Sequence, residues 1–222
     1  FLYLYIGSFA WAACNTTPGA DTTTQYECED GNTLTINSGI TVSRNSSSAP
    51  RLVTNVVDST NHNNVTIINN GTMTNVKQGT IYLKDTGGHT ITNTGTITGD
   101  SYAVWITGSN GATITNSGTI TGQKYGGITS TGWLTAGAGD ITIDNSGTIL
   151  GGKEDHNANN RWLMGGISIN CGAGGADETC GGGTVTITNS GTIQGHEGKG
   201  SDSQQQPAIL LDNQSTNIIY NS

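Results

Sequence analysis

Apolar residues alternate with hydroxyl-bearing ones along most of the chain, and the pattern is clearest in Thr113-Ile114-Thr115-Asn116-Ser117-Gly118-Thr119-Ile120-Thr121-Gly122. Period two predicts a strand, an Asn-Ser-Gly turn and a second strand. Ile114 and Ile120 fall on the inward side. Thr113, Thr115, Thr119 and Thr121 fall on the outward side, where β-branched residues suit a strand. A single copy cannot bury its one apolar face, whereas stacked copies can.

Copies recur from end to end. Their turns are Asn37-Ser38-Gly39, Asn69-Asn70-Gly71, Asn93-Thr94-Gly95, Asn116-Ser117-Gly118, Asn145-Ser146-Gly147 and Asn189-Ser190-Gly191, and the chain closes at Asn221-Ser222, where the pattern next requires Gly. The asparagines lie 32, 24, 23, 29, 44 and 32 residues apart, so a bare coil has 23–24 residues and the longer intervals carry insertions. A further apolar patch follows each turn: Ile81-Tyr82-Leu83, Val104-Trp105-Ile106, Gly127-Ile128, Ile167-Ser168-Ile169 and Ile209-Leu210-Leu211. Three short strands per coil predict an all-β fold, a right-handed parallel β-helix of about six to seven coils stacked about 4.8 Å apart. Asn37, Asn69, Asn93, Asn116, Asn145, Asn189 and Asn221 are expected to form a ladder of amide side chains at one corner. Gly118 is expected to adopt a backbone angle that other residues avoid.

Three segments divide the chain. Residues 33–222 form the β-helix domain. Residues 1–13, FLYLYIGSFAWAA, are largely apolar and unlike everything after them. Ala10-Trp11-Ala12 could mark the end of a signal peptide, but no basic segment precedes it. The alternative is a strand buried on both faces, either inserted into a neighbouring subunit or packed within its own. Residues 14–32 are expected to form a cap closed by Cys14 and Cys28. Glu27, Glu29 and Asp30 lie at its end, and a solvated acidic turn is favoured there over a Ca²⁺ site. Insertions fall at residues 43–64, 130–139, 151–165, 171–183 and 196–207, and loops on such a scaffold are common binding places.

Composition narrows the function. Charged residues make up 11% of the 222, and the net charge of −8 argues against nucleic acid and anionic membranes as partners. No run is long enough for a membrane-spanning helix. Four cysteines in two close pairs, Cys14 with Cys28 and Cys171 with Cys180, read as two disulfides of an exported, extracellular or cell-surface protein. No cofactor or metal motif is present. The acids are scattered, the four histidines fall in separate coils, and no nucleophile–base pair can be named, so no enzyme activity is expected. The densest charge cluster is Lys153, Glu154, Asp155, His156 and Arg161, which reads as a solvated loop. Trp105, Trp133 and Trp162 could stack on sugars, though packing against the rod is the plainer expectation. N-x-S/T sequons at Asn15, Asn45, Asn64, Asn70 and Asn213 recur as expected by chance in an Asn/Thr-rich chain.

The repeat at Ile114–Gly122 and at Ile187–Gly195 resembles the passenger regions of bacterial autotransporters and related exported β-helical adhesins. The resemblance covers about residues 33–222. It implies the β-helix fold. For function it implies a class that includes adhesins, structural rods and some polysaccharide-degrading enzymes.

A solenoid whose ends are uncapped invites stacking. The first expectation is therefore a structural subunit of an extracellular filament, whose partner is another copy of itself. Polymerisation would involve Phe1, Leu2, Tyr3, Leu4, Tyr5 and Ile6 at one end and Ile218, Ile219 and Tyr220 at the other. The alternatives are a monomeric adhesin that binds surface glycans through its loops, and a β-helical polysaccharide-degrading enzyme.

Overall fold

A computed structural model describes residues 11–45, 51–84, 87–107, 111–131, 139–152, 165–170, 183–195, 207–212 and 216–222. The described secondary structure is all strand. The strands stack into three long parallel sheets of eight, seven and six strands, so the chain is a right-handed parallel β-helix. One bare coil shows the construction. Val104–Thr107 belongs to the first sheet, Ala112–Asn116 to the second and Thr119–Gly122 to the third. Each pairs residue for residue with its equivalents one coil before and one coil after: Ile91 lies beside Ile114, and Ile114 beside Ile143.

Inside, columns of aliphatic side chains fill the helix. Ile67, Ile91, Ile114, Ile143 and Ile187 run down the second sheet, and Met73, Ile97, Ile120 and Ile149 down the third, all fully buried. Burying each isoleucine contributes about 1.5–3 kcal/mol, which is why alternation with period two is enough to specify the coil. Thr113 and Thr115 face solvent, as the pattern predicts.

The N-terminal region is less of a separate cap than the sequence suggests. Trp11–Ala13 is the outermost described strand of the first sheet and pairs with Gln25–Glu27 of its own chain. Thr16 bridges to Leu34 and Thr22 to Val42, so residues 11–24 trace a narrow coil that touches all three sheets. Cys14 and Cys28 form a disulfide with their Cα atoms 4.7 Å apart, close to the usual spacing between paired strands. It ties this narrow coil to the next at the residue following each strand. Residues 1–10, Cys171 and Cys180 lie outside the described residues.

The expected insertion at residues 43–64 is partly regular coil, since Val53–Thr54 is a strand of the first sheet, and its extra residues form a hairpin, Val56–Val57 paired with Thr60–Asn61. Asp58 and Ser59 both take positive φ, 47° and 66°, at its tip. That is the turn geometry whose twist matches the flanking strands.

Candidate functional site

The asparagine corner is the most regular feature of the molecule. Asn69 Nδ2 donates to Asn93 Oδ1 at 2.8 Å, Asn93 to Asn116 at 2.7 Å, Asn116 to Asn145 at 2.7 Å, Asn145 to Asn189 at 2.7 Å and Asn189 to Asn221 at 2.8 Å. The side chains are buried through Asn189. Each of these five donor amides also approaches the carbonyl of the glycine two residues on. The asparagine backbone carbonyls accept in turn from the next coil: the Asn93 oxygen takes the amides of both Ser117 and Gly118. The corner thus satisfies, from within, groups that a sheet cannot pair.

Two expectations about this corner need correction. Asn37 is exposed and not in the ladder, because Ile36 is the residue in register with Asn69. An isoleucine cannot donate, and Asn69 Oδ1 is left buried without a partner. Gly118 does not take positive φ; among the turn glycines only Gly39 does, at 79°. Gly118 is required because a Cβ there would overlap the carbonyl of Gly95 one coil earlier. Gly95, Gly147 and Gly191 are crowded in the same way. Close backbone approach, rather than dihedral freedom, is what selects glycine here.

The strand Thr216–Asn221 is the last described strand of the second sheet. Ile219 continues the inward column beneath Ile187 yet is 48% exposed, and Tyr220 is 60% exposed. Ile218 is half-buried. Of the expected polymerisation residues, these three are described, and Phe1, Leu2, Tyr3, Leu4, Tyr5 and Ile6 fall outside the described residues.

A second feature lies on the outside of the first sheet. Outward positions of successive coils carry Tyr82 and Trp105, paired in register with ring centroids 4.8 Å apart. Tyr102 stacks on Trp105 at 4.9 Å and Tyr125 on Tyr102 at 4.8 Å. Burial pushes the Tyr102 hydroxyl up to about 12. The Arg51 guanidinium lies 3.9 Å over Tyr82 and 5.2 Å from Trp105, a cation–π arrangement. Beside it is a groove of about 320 Å³ lined by Gln25, Glu27, Arg51, Thr54, Tyr82 and Lys84, with Val56 of the hairpin at one wall. Burial, and then the charge of Asp58, raise the Glu27 carboxyl above its ordinary value, and burial lowers Arg51. Gln25 is 2% exposed and its Oε1 has no donor.

The three clustered acids of the sequence therefore separate. Glu27 faces this groove, while Glu29 and Asp30 are exposed beyond it, with Asp30 accepting from the Asn63 amide and lying 3.5 Å from His62. Among the described residues no three His, Cys, Asp or Glu side chains are grouped as metal ligands. The charged loop around Lys153 and the side chains of Trp133 and Trp162 lie outside the described residues. Sequence reading missed Gln25, Arg51 and Tyr102. One signal was available: Tyr82 and Trp105 occupy the same outward position of consecutive coils, which already predicts a ring stack. No family model, no curated protein and no solved structure matches the chain.

Proposed function

We propose that this chain is a structural subunit of an extracellular filament that grows head to tail by stacking one β-helix on another. The observation that carries the reading is the repetition of one set of bonds at every coil boundary from Asn69 to Asn221, a self-similar arrangement of the kind that stacking of further copies extends. Ile219 and Tyr220 expose apolar surface on the strand Thr216–Asn221, and exposed apolar strand surface favours association with another strand. A contact between one end and the other is heterologous, and where the rotation does not close it generates a fibre. In this reading the apolar residues 1–6 add a strand to the neighbouring copy. A scaffold of repeated inward isoleucines and amide ladders suits a mechanical role. It resembles the rods of exported β-helical proteins and carries no clustered catalytic groups among the described residues.

The test is assembly of the 222-residue chain followed by negative-stain imaging and sedimentation, beside an Ile219→Asp/Tyr220→Asp variant. Fibres from the parent and single subunits from the variant are the expected result. A parent chain that stays monomeric at high concentration contradicts the proposal, and fibres that survive the double substitution place the contact elsewhere.

A further inference from the structure

Every turn at the ladder corner ends in glycine, but one turn sets beside that glycine a side chain able to react with it. The middle residue is Ser38, Thr94, Ser117, Ser146 or Ser190 elsewhere, and Asn70 in the coil where the ladder starts. A hydroxyl at that place does not react with the backbone. The side-chain amide of Asn70 is an electrophile, and the next residue offers the least hindered backbone nitrogen available, that of Gly71.

The Gly71 nitrogen also differs from its equivalents. The amides of Gly95, Gly118, Gly147 and Gly191 each donate to the asparagine carbonyl of the preceding coil, at 3.1–3.2 Å. The corner before Gly71 holds Ile36, whose carbonyl accepts from the Asn70 amide, and the Gly71 amide has no acceptor among the described residues. Asn70 is half-buried, and its Nδ2 bonds to nothing among the described residues. Its Oδ1 accepts from the Thr94 hydroxyl of the next coil at 2.8 Å. That bond polarises the side-chain carbonyl and stands ready to stabilise the oxyanion that forms when the carbon is attacked.

We propose that Asn70 is a modification site at which the chain reacts with itself. Hydroxide removes the Gly71 amide proton, and the nitrogen attacks Asn70 Cγ. The Cγ–Nδ2 bond breaks, and the leaving group takes a proton from water and departs as ammonia, leaving a five-membered succinimide. Water then opens the ring. Attack at Cγ gives aspartate, and attack at the backbone carbon gives isoaspartate, in which the chain runs through Cγ. No electrons are transferred, and water is the only co-reactant consumed. The isoaspartyl product lengthens the main chain by one carbon where packing is tight. A Cβ on Gly71 would already overlap the carbonyls of Asn37 and Ile40, and the Gly71 carbonyl accepts from both the Thr96 amide and the Asn69 side chain. The modification is therefore a slow, one-way loosening of the boundary at which Thr33–Ile36 and Thr41–Arg44 stack on the following coil.

The experiment is incubation of the full chain at mildly alkaline pH, with peptide mapping by mass spectrometry to place each amide-to-acid conversion and enzymatic isoaspartyl methylation to identify the rearranged product. Mapping also separates Asn70 from Asn110, which precedes Gly111 and lies outside the described residues. A free peptide of residues 66–74 supplies the intrinsic rate. Asn70 is expected to convert at a rate of the same order as in the peptide, while Asn93, Asn116 and Asn145 stay intact over the same period. Thr94→Val is expected to slow the conversion about fivefold, the factor equivalent to about 1 kcal/mol. Asn70→Ser, which matches the other turns, is expected to abolish it and leave the melting temperature unchanged. Hydrogen exchange at Thr33–Ile36 and Thr41–Arg44 is expected to rise in the aged parent and not in aged Asn70→Ser. Complete conversion of the peptide while Asn70 stays intact in the folded chain overturns the proposal. An unchanged rate in Thr94→Val overturns the role of that hydroxyl, and conversion with unchanged exchange overturns the loosening. None of these readouts depends on fibre formation.

Discussion

The first two coils and the later ones are held together differently. Between residues 11 and 45 a covalent link, Cys14–Cys28, ties one coil to the next. The ladder corner there carries Ile36, followed by a turn in which Gly39 takes positive φ with open space around it. From Asn69 onward the described link at each ladder corner is non-covalent, and every turn glycine is pressed against the coil before it. The later arrangement is self-similar: each coil offers the next one what it received. The first arrangement is not, because Ile36 gives Asn69 no donor. The amide ladder is therefore interrupted at the corner that Ile36 occupies.

The comparison breaks most sharply at the turn glycines. Gly118→Ala forces a methyl into the Gly95 carbonyl and should cost about 3 kcal/mol or more. Gly39→Ala meets nothing in space and should cost only about 1 kcal/mol, from its positive φ. Chemical denaturation of the two variants measures the difference, and equal losses would remove the distinction between crowding and dihedral angle.

The covalent link comes next. Paired Cys14→Ser and Cys28→Ser substitutions open a loop of 14 residues and should cost about 3 kcal/mol or somewhat less. Hydrogen exchange should rise at Trp11–Ala13 and Gln25–Glu27 and stay unchanged at Ala112–Asn116. Exchange that rises equally in both regions would mean that the ends are not held independently.

Asn116→Ala leaves the buried Asn145 Oδ1 without its donor and takes from the Asn93 amide its shortest acceptor, at an expected cost of about 2 kcal/mol. Asn37→Ala, at an exposed position outside the ladder, should fall within about 0.5 kcal/mol of the parent. A small net effect is also expected for Ile36→Asn. It gives Asn69 Oδ1 a donor but forfeits a buried aliphatic side chain, and the two terms offset to within about 1 kcal/mol. The same change at Ile114, where no ladder partner waits, should cost several times more.

Period two and the Asn-x-Gly turns made the coil legible, because each inward isoleucine and each corner asparagine repeats in register with the next. Local alignment misled at Asn37. Its Asn-Ser-Gly turn matches the others in sequence, but the chain reaches the corner one residue early, so Ile36 takes the inward place. The repeated turn glycine reads from sequence as a dihedral requirement, and only coil-to-coil distance shows that at Gly118 the requirement is steric. The groove was illegible for a different reason. Gln25, Arg51 and Lys84 come from three coils and from no repeated motif, so only stacking brings them together. Tyr82 and Trp105 were the exception, since their equivalent outward positions could be read from the aligned apolar patches.

The central claim is that neighbouring asparagines act as one coupled ladder rather than as separate buried amides. A double-mutant cycle on Asn93→Ala and Asn116→Ala, read as unfolding free energy, tests it directly. Because the second substitution removes a partner already lost to the first, the double variant should be more stable than the sum of the singles implies, by about 1 kcal/mol or more. Strictly additive losses would contradict the account.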